Sequence, residues 1–383
     1  MFSFEFATAS RILFGTGKLN ELGGLVQGKR KQLLLVCGRS SAAIPRVKEI
    51  LSSLDVSVSE FQVHGEPAID GIQAGMEAAR GCDMVIGLGG GSVMDTGKAI
   101  AALVTNPGEI TDYLEVVGRG QPLINAPLPY IAIPTTAGTG SEVTRNAVIE
   151  AREQNVKVSL RSPMMLPRLA LVDPELTYDL PPDVTAASGL DALTQCIEPF
   201  VSIKANPITD AICREGIQHA ARSLRRAYEN GTDPGARQGM SLAALCGGLA
   251  LANAGLGAVH GFAGPLGGML HAPHGAICAR LLPPVMEANL RALKTRQPGH
   301  PAIGRYQEIA RLLTGDDSAT AMDGVEWANQ VVRDLHIPRL SQFGMSEKQF
   351  PEAVEKTLQA SSFKGNPIPL RETELNEVLE KAL

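Results

Sequence analysis

Residues 84–95 read MVIGLGGGSVMD, and this stretch gives the clearest indication of the fold. A short apolar run meets three glycines and continues as a helical pattern, which predicts a strand, a tight turn and a helix. Side-chain-free backbone lets amide N–H groups approach an anion, and the helix N-terminus adds a partial positive charge. We predict that Ser92 caps this helix and that Asp95 bonds a ribose or an amide. The residues predicted to line this anion site are Gly89, Gly90, Gly91, Ser92 and Asp95.

The same alternation of apolar runs and helical patterns continues on both sides of this stretch. The predicted strands are 32–36, 56–63, 83–88 and 128–133, and the predicted helices between them include 45–54 and 72–80. Strands and helices that alternate at this spacing are typical of βαβ units with a mostly parallel sheet. The first half of the chain is therefore predicted to be an α/β domain of the nucleotide-binding type.

A second small-residue segment, IPTTAGTGSE at 133–142, follows another predicted strand. Its hydroxyls and glycines suit a pyrophosphate or a nicotinamide ribose, and we predict contacts from Thr135, Thr136 and Thr139. Two loops of this kind after two strands of one sheet indicate a single dinucleotide across the carboxyl ends of the strands.

The pattern changes at Pro181-Pro182, where the two prolines interrupt regular structure. We predict an α/β domain over residues 1–181 and an all-helical domain over 182–383. The predicted helices of the second domain are 187–201, 210–229, 234–252, 275–287, 303–313, 324–335 and 372–382. The segment 247–275 contains too much glycine for an isolated helix and is expected to pack closely against other backbone or a ligand.

The composition excludes several classes of function. The chain has 383 residues, a net charge of −5 and no basic cluster, which disfavours nucleic acid and anionic membranes as partners. No apolar stretch approaches the roughly 20 residues that span a bilayer. The N-terminus lacks the charge and apolar pattern of a signal peptide. The six cysteines are scattered without a CxxC pair, so we expect buried free thiols and a cytoplasmic location.

Three of the seven histidines lie close together in AVHGFAGPLGGMLHAPHG at 258–275: His260, His271 and His274. An imidazole buried without partners costs about 1–3 kcal/mol, so histidines in such an apolar stretch favour a metal or a catalytic role. Asp191 lies in a similar setting, ASGLDALTQCIEP at 187–199. Together these residues predict a divalent metal held by one carboxylate and two imidazoles.

These motifs occur in one order that resembles the iron-containing (group III) alcohol dehydrogenases. The resemblance runs from RILFGTGKL at 11–19, through GGGSVMD, PTTAGTGSE and DPELTYDLPP at 173–182, to the VHG and PHG motifs. It implies reversible hydride transfer from an alcohol to NAD(P)+, which yields the aldehyde or ketone and NAD(P)H, in a homodimer. It also implies a small-molecule substrate, and Fe²⁺ or Zn²⁺ held by Asp191, the residue four positions later, His260 and His274. Lys157 matches a family position near the cofactor, although it could equally be one charge on a β-hairpin.

The chain departs from the family pattern at three positions. Gln195 replaces the usual histidine four residues after Asp191, and an amide oxygen is a weaker, harder ligand than an imidazole. Gly264 replaces a histidine that lines the substrate pocket in many relatives, so we expect His271 or water to relay the proton. Gly38 stands where NAD-specific members carry an aspartate. With Arg39 and Ser40 beside it, this position favours NADP(H), although NAD(H) or the use of both stays possible.

Three other interpretations compete with this one. A dehydroquinate-synthase-like cyclase would need clustered lysines and arginines, whereas residues 240–280 contain only Arg280. A maleylacetate-type keto-acid reductase works without metal, and the Gln195 change keeps it as an alternative. A nucleotide-binding protein without catalysis would bind NADP(H) tightly but show neither metal nor turnover.

Overall fold

The computed structural model describes residues 3–26, 31–38, 42–152 and 156–383, and these separate into two compact units. The α/β unit comprises Ala7–Thr136 and Gly140–Leu180. The helical unit comprises Pro181–Leu383 together with Ala137–Thr139 and the start of the chain.

The α/β unit is built on a six-stranded sheet in the order β1-β8-β5-β4-β2-β3, and every pairing in it is parallel. A separate antiparallel hairpin is formed by β6 and β7. The strands are β1 Ile12–Phe14, β2 Gln32–Cys37, β3 Ser57–Gln62, β4 Met84–Gly89, β5 Tyr130–Pro134, β6 Asn146–Ala151, β7 Val156–Arg161 and β8 Leu169–Val172. The helices are α1 Leu22–Val26, α2 Ala43–Ser52, α3 Ile69–Ala78, α4 Gly91–Leu103 and α5 Ile110–Tyr113.

Continuous apolar strands explain why this sheet is buried on both faces. Successive side chains of a strand point to opposite faces, so Leu34 and Val36 enter one core cluster and Leu33 and Leu35 enter another. The predicted α/β fold with a mostly parallel sheet is confirmed, and the predicted strands and helices of this unit are present with ends shifted by at most three residues. In the second half of the chain, one predicted helix begins five residues earlier, at residue 182, another ends nine residues later, at residue 296, and the helix over residues 350–359 was not predicted. Two short strands, β1 and β8, were not predicted, because three or four apolar residues give too little periodicity. The β6–β7 hairpin contains Lys157, for which the sequence left a β-hairpin open as one of two interpretations.

The helical unit contains no strand in residues 181–383, all of which the structure describes. Its helices are α6 Pro182–Val201, α7 Pro207–Glu229, α8 Pro234–Ala254, α9 Ala258–Leu270, α10 His274–Arg296, α11 Pro301–Thr314, α12 Ala321–Asp334, α13 Phe350–Gln359 and α14 Glu372–Ala382. Helix α6 begins at the second proline, which has no N–H to leave unpaired in the first turn. It packs against α7, α8 and α10, so most of its side chains are buried.

Helix α9 forms although its segment was judged too rich in glycine for an isolated helix. The helix is not isolated, because a Cβ atom on Gly261 would lie only 3.0 Å from Phe363 Cβ. Its first amides are also satisfied from outside, since Val259 N donates to Glu198 and Ala258 N donates to Asn366. Close packing and these caps offset the conformational cost of glycine in the helix. The sequence had predicted such close packing for this segment.

All six cysteines are free thiols, and all but Cys82 are buried. Within the described residues, no single helix has the length and apolar character to cross a membrane. One pair, α8 and α9, satisfies length and composition only when taken together across a bend of 100°.

Candidate functional site

Three helices of the helical unit bring four potential metal ligands together. Asp191 comes from the middle of α6, His260 from the first turn of α9, and His274 and Cys278 from the first two turns of α10. The ligand atoms of all four lie within 4.8 Å of one another. Asp191 Oδ1 is 3.3 Å from His260 Nε2 and 3.9 Å from His274 Nε2. The cluster joins residues of the GLDALTQ, VHG and PHG motifs, so the three predicted ligands from these motifs lie side by side.

Three polar atoms of this region are buried without a hydrogen-bond partner among the described residues: Asp191 Oδ1, His260 Nε2 and Gln195 Oε1. All three are potential metal ligands, and two of them belong to the cluster. Leaving a carboxylate oxygen buried and unpaired is costly, and a cation among these atoms would remove the cost. A carboxylate with two imidazoles suits Fe²⁺ or Zn²⁺, so the residues present fit the divalent metal that the sequence predicts.

Two neighbouring side chains fix the orientation of the potential ligands. Glu198 Oε2 lies 2.7 Å from His260 Nδ1, and its other oxygen accepts from Val259 N at 2.7 Å. With the Nδ1 proton directed to Glu198, the Nε2 lone pair of His260 faces the cluster. Gln195 Nε2 donates to Asp191 Oδ2 at 3.0 Å, which leaves Oδ1 on the side of the histidines.

The cluster also controls the charges of its members. Burial raises the pKa of Asp191, but the adjacent His260 imidazole and the charges of both histidines outweigh it and bring the pKa below its ordinary value. Burial lowers the pKa of His260, yet Cys278, Asp191 and Glu198 together raise it well above the usual range. Burial raises the pKa of the Cys278 thiol to about 12.

His271 is not a member of this cluster. It ends α9 in the left-handed conformation, with φ of 48°, and is exposed. Gly264, one helix turn after His260, faces open space, since a Cβ atom there would meet no described heavy atom within 4 Å. A side chain at this position would therefore begin in open space among the described residues.

The glycine turn of the α/β unit lies where β4 ends and α4 begins, and the second loop starts at the end of the neighbouring strand β5. Thr135 N donates to Gly89 O at 2.9 Å, and a Cβ atom on Gly90 would lie 3.2 Å from Thr136 Cγ2. The two predicted anion loops are thus adjacent. The predicted cap is wrong, because α4 starts at Gly91 after Gly90 and receives no side-chain cap, so Ser92 lies inside its first turn.

Asp95 and Lys157 both have partners within the α/β unit. Asp95 Oδ1 accepts from Ser141 Oγ at 2.5 Å, Oδ2 accepts from Val148 N at 2.9 Å, and Lys98 Nζ lies 3.1 Å away. Lys157 belongs to β7 of the hairpin, and its Nζ lies 3.3 Å from Glu66 Oε1. The direct role of either residue toward a cofactor stays a prediction.

The remaining predicted cofactor residues are spread over three places. Thr139 belongs to the short segment that groups with the helical unit. Gly38 directly follows β2, where a Cβ atom would touch only Val93 Cγ2, at 3.7 Å. Arg39 and Ser40 lie outside the described residues.

Sequence reasoning missed two members of the metal region, Glu198 and Cys278. Glu198 lies seven residues after Asp191 on α6, and Cys278 lies four residues after His274 on α10, so each shares a helix face with a predicted ligand. Helical spacing from the predicted ligands could have found both.

Two successive parts of the chain match one known family. Residues 9–174 match the family described as iron-containing alcohol dehydrogenase, and residues 185–383 match the C-terminal region of the Fe-containing alcohol dehydrogenase family. It is 37% identical to alcohol dehydrogenase 4 of Saccharomyces cerevisiae over 96% of each chain. Its fold matches a crystal structure of 1,3-propanediol oxidoreductase with a TM-score of 0.92 and 32% identity, covering 100% of both chains. An alcohol dehydrogenase from Oenococcus oeni gives a TM-score of 0.91, again at 32% identity and over 100% of both chains.

Proposed function

The chain belongs to the iron-containing alcohol dehydrogenase family, and we propose that Asp191, His260 and His274 hold the divalent metal on which its alcohol oxidation and carbonyl reduction depend. The observation that carries this proposal is the pair of buried atoms, Asp191 Oδ1 and His260 Nε2, which have no hydrogen-bond partner among the described residues and converge with His274. A cation there would satisfy both atoms at once.

When bound at this site, a divalent metal supplies Lewis-acid polarisation of the substrate oxygen. The chain's own residues prepare the site for it. Glu198 holds the Nδ1 proton of His260, so that the Nε2 lone pair is directed to the cluster. Gln195 holds the far oxygen of Asp191 and presents its own amide oxygen as a fourth, neutral donor. Either the metal is Fe²⁺ or it is Zn²⁺, and both accept this donor set.

The nicotinamide cofactor is proposed to bind with its pyrophosphate on the backbone of Gly89, Gly90 and Gly91. These residues lead into the N-terminus of α4, where unpaired N–H groups and the helix dipole favour an anion. Further proposed contacts come from Ser92, Asp95, Thr135, Thr136, Thr139 and Lys157. The protein's task is to hold the nicotinamide ring in one orientation for the hydride.

We propose that the cofactor is NADP(H) rather than NAD(H), because Gly38 leaves room and no negative charge beside Arg39 and Ser40. Gly38→Asp tests this directly. Its φ lies outside the left-handed region and its Cβ would make only an ordinary contact, so the variant should fold normally. The new carboxylate should repel a 2′-phosphate and lower the NADPH/NADH ratio of kcat/KM by about 10-fold or more. An unchanged ratio would contradict the proposed position of the 2′-phosphate.

Proton transfer at the substrate oxygen is proposed to pass through water, His271 or the ribose hydroxyls, because Gly264 offers no proton donor. Gly264, Gly267 and Gly268 also leave space for a substrate of more than minimal size.

We also propose a homodimer and a cytoplasmic location. Light scattering of the purified protein would measure the oligomeric state. The relatives named above lend no support to a metal-free keto-acid reductase.

The deciding experiment is NADPH oxidation with a panel of aldehydes, ketones and keto-acids. Protein reconstituted with Fe²⁺ or Zn²⁺ is compared with the same protein stripped by a chelator. We expect turnover only with metal, and a ranking of carbonyl substrates from the same data. Turnover that is indifferent to the chelator would favour the keto-acid reductase. Tight cofactor binding without turnover would favour a non-catalytic binding protein.

A further inference from the structure

We infer that Cys278 is a direct ligand of the metal, so that this chain's centre combines carboxylate, imidazole and thiolate donors. This inference rests on the proposed function, which supplies the metal. It adds a ligand that the motifs do not contain, and it explains how the chain dispenses with a histidine at Gln195.

The spacing of the donor atoms fits a shared cation. Ligands of one tetrahedral Zn²⁺ ion stand about 3.3 Å apart for a nitrogen–oxygen pair and about 3.5 Å apart for a sulfur–nitrogen pair, given the usual bond lengths. Cys278 Sγ lies 3.5 Å from His274 Nε2. Asp191 Oδ1 lies 3.3 Å from His260 Nε2. Both distances match those of neighbouring ligands, and the remaining separations in the cluster stay within 4.8 Å.

The environment of this sulfur differs from that of other thiols in the chain. Cys196 and Cys82 donate to backbone carbonyls, those of Ala243 and Ala78. The Cys278 sulfur instead meets the imidazole of His274, one helix turn before it on α10. Its side chain is completely buried, so solvent does not compete for the same position. The two unpartnered atoms of Asp191 and His260 belong to the same cluster, which independently indicates a missing cation.

The charges of the donors support a thiolate in place of the lost imidazole. Gln195 is neutral and a poor ligand, and its amide nitrogen is already engaged with Asp191. A Cys278 thiolate would add a second negative charge beside Asp191, and the two would balance a divalent cation in a buried site. Binding a metal displaces the thiol proton to solvent, as in other cysteine sites. A soft sulfur donor also shifts preference toward Zn²⁺ or Fe²⁺ and away from Mn²⁺ or Mg²⁺.

Cobalt substitution tests this inference by spectroscopy rather than by activity. The full-length protein is stripped with a chelator and titrated with Co²⁺ alone, and the near-ultraviolet band of thiolate-to-cobalt charge transfer is recorded. Cys278→Ser and Cys278→Ala are compared with Cys213→Ser, which removes an equally buried thiol from α7 outside the cluster. Cadmium NMR of the unmodified protein gives a second measurement that needs no variant, because a thiolate donor moves the cadmium resonance downfield.

We expect one equivalent of Co²⁺ with a thiolate band in the wild type and in Cys213→Ser. Both Cys278 variants should lose the band and bind Co²⁺ about 10-fold more weakly or worse. Cobalt binding without a thiolate band, or a band that survives in a folded Cys278 variant, would overturn the inference and leave the proposed metal site intact. A wild-type protein that binds no Co²⁺ would overturn the proposed metal site, and the inference with it. If neither Cys278 variant folds, a cadmium resonance without the downfield shift would still overturn it.

Discussion

The two candidate sites of this protein differ in composition, since one is formed by backbone and the other by side chains. The anion loops of the α/β unit consist of backbone at the ends of two adjacent strands, β4 and β5. The metal cluster of the helical unit consists of side chains from α6, α9 and α10, whose positions in the chain run from Asp191 to Cys278. The first site therefore depends on side chains that are absent, and the second depends on side chains that are present.

This difference predicts how each site fails. Adding one methyl group should damage the loops, since close backbone approach requires glycine there. Removing one ring should damage the cluster, since each ligand is supplied once. Loss of cofactor binding and loss of metal binding should therefore be separable by single substitutions.

The largest effect is expected from His274→Ala, which removes one of the three proposed ligands. Turnover should fall by about 1,000-fold or more, because polarisation of the substrate oxygen contributes several kcal/mol and about 1.4 kcal/mol corresponds to tenfold in rate. Cofactor binding, measured by NADPH fluorescence, should stay within about twofold of wild type. The two assays together separate loss of the metal from loss of the fold.

A matched control for this variant is His219→Ala on α7. His219 Nε2 lies 3.0 Å from Glu215 Oε1 at the surface, and His219 lies outside the cluster. It should retain near wild-type turnover. Retained turnover in His274→Ala would contradict the metal-centred mechanism.

Sequence reasoning succeeded where a site is encoded locally. The strand, glycine turn and helix at 84–95 were predicted because the local structure there follows from adjacent residues. The partners of Asp191 were predictable only as motif residues, and their side-by-side arrangement depends on how three helices pack. Glu198 and Cys278 belong to no motif, and only their helical spacing from Asp191 and His274 marks them, which is why they were missed. The absence of a cap from Ser92 likewise depends on where α4 begins, which is two residues earlier than a cap at Ser92 requires.

A smaller effect is expected from Gly89→Ala in the anion loop. The added Cβ would lie 2.5 Å from Val93 Cγ2, so the first turn of α4 must shift. Cofactor affinity should fall by about 10- to 100-fold while metal content is unchanged, since the loop positions phosphate through backbone amides. Fluorescence titration and metal analysis measure the two quantities on one sample.

Gly71→Ala in α3 is the corresponding control, because no described atom lies within 4 Å of its added Cβ. It should bind the cofactor as the wild type does. Equal cofactor affinity in Gly89→Ala and Gly71→Ala would show that close packing at the turn is irrelevant to binding.

Glu198→Gln tests how far the metal cluster depends on the carboxylate that orients His260. The amide can still accept from Val259 N, but it no longer provides a carboxylate for His260 Nδ1. Metal affinity should fall by about 10-fold, as for other residues that orient a metal-bound histidine, and added metal should restore most of the turnover. Competition with a chromophoric chelator measures the affinity. An unchanged affinity would mean that backbone geometry alone holds the imidazole.

Two buried carboxylates, Asp191 and Glu142, differ in the direction of their pKa shift. Burial raises the pKa of both, but the histidines beside Asp191 overcome it and lower the pKa. At Glu142, burial raises the pKa from 4.5 to about 7, and its backbone hydrogen bond and Lys98 only partly oppose it. Lys98 is engaged elsewhere, since its Nζ donates to Ser141 O at 3.0 Å and to Thr144 Oγ1 at 2.8 Å. A buried acid thus stays charged where its cationic neighbours face it directly.

Glu142→Gln should have the smallest effect on turnover and a visible effect on stability. Between about pH 4.5 and 7 the folded protein holds a proton on Glu142 that the unfolded chain releases, so wild-type stability falls as pH rises through this window. The glutamine variant has no such proton, so the difference in unfolding free energy between the two proteins should shift in its favour by about 3 kcal/mol between pH 4.5 and 7. Thermal melting of both proteins across this range measures the difference. Parallel curves would mean that Glu142 is already ionised in the folded protein at low pH, and that Lys98 balances it as the histidines balance Asp191.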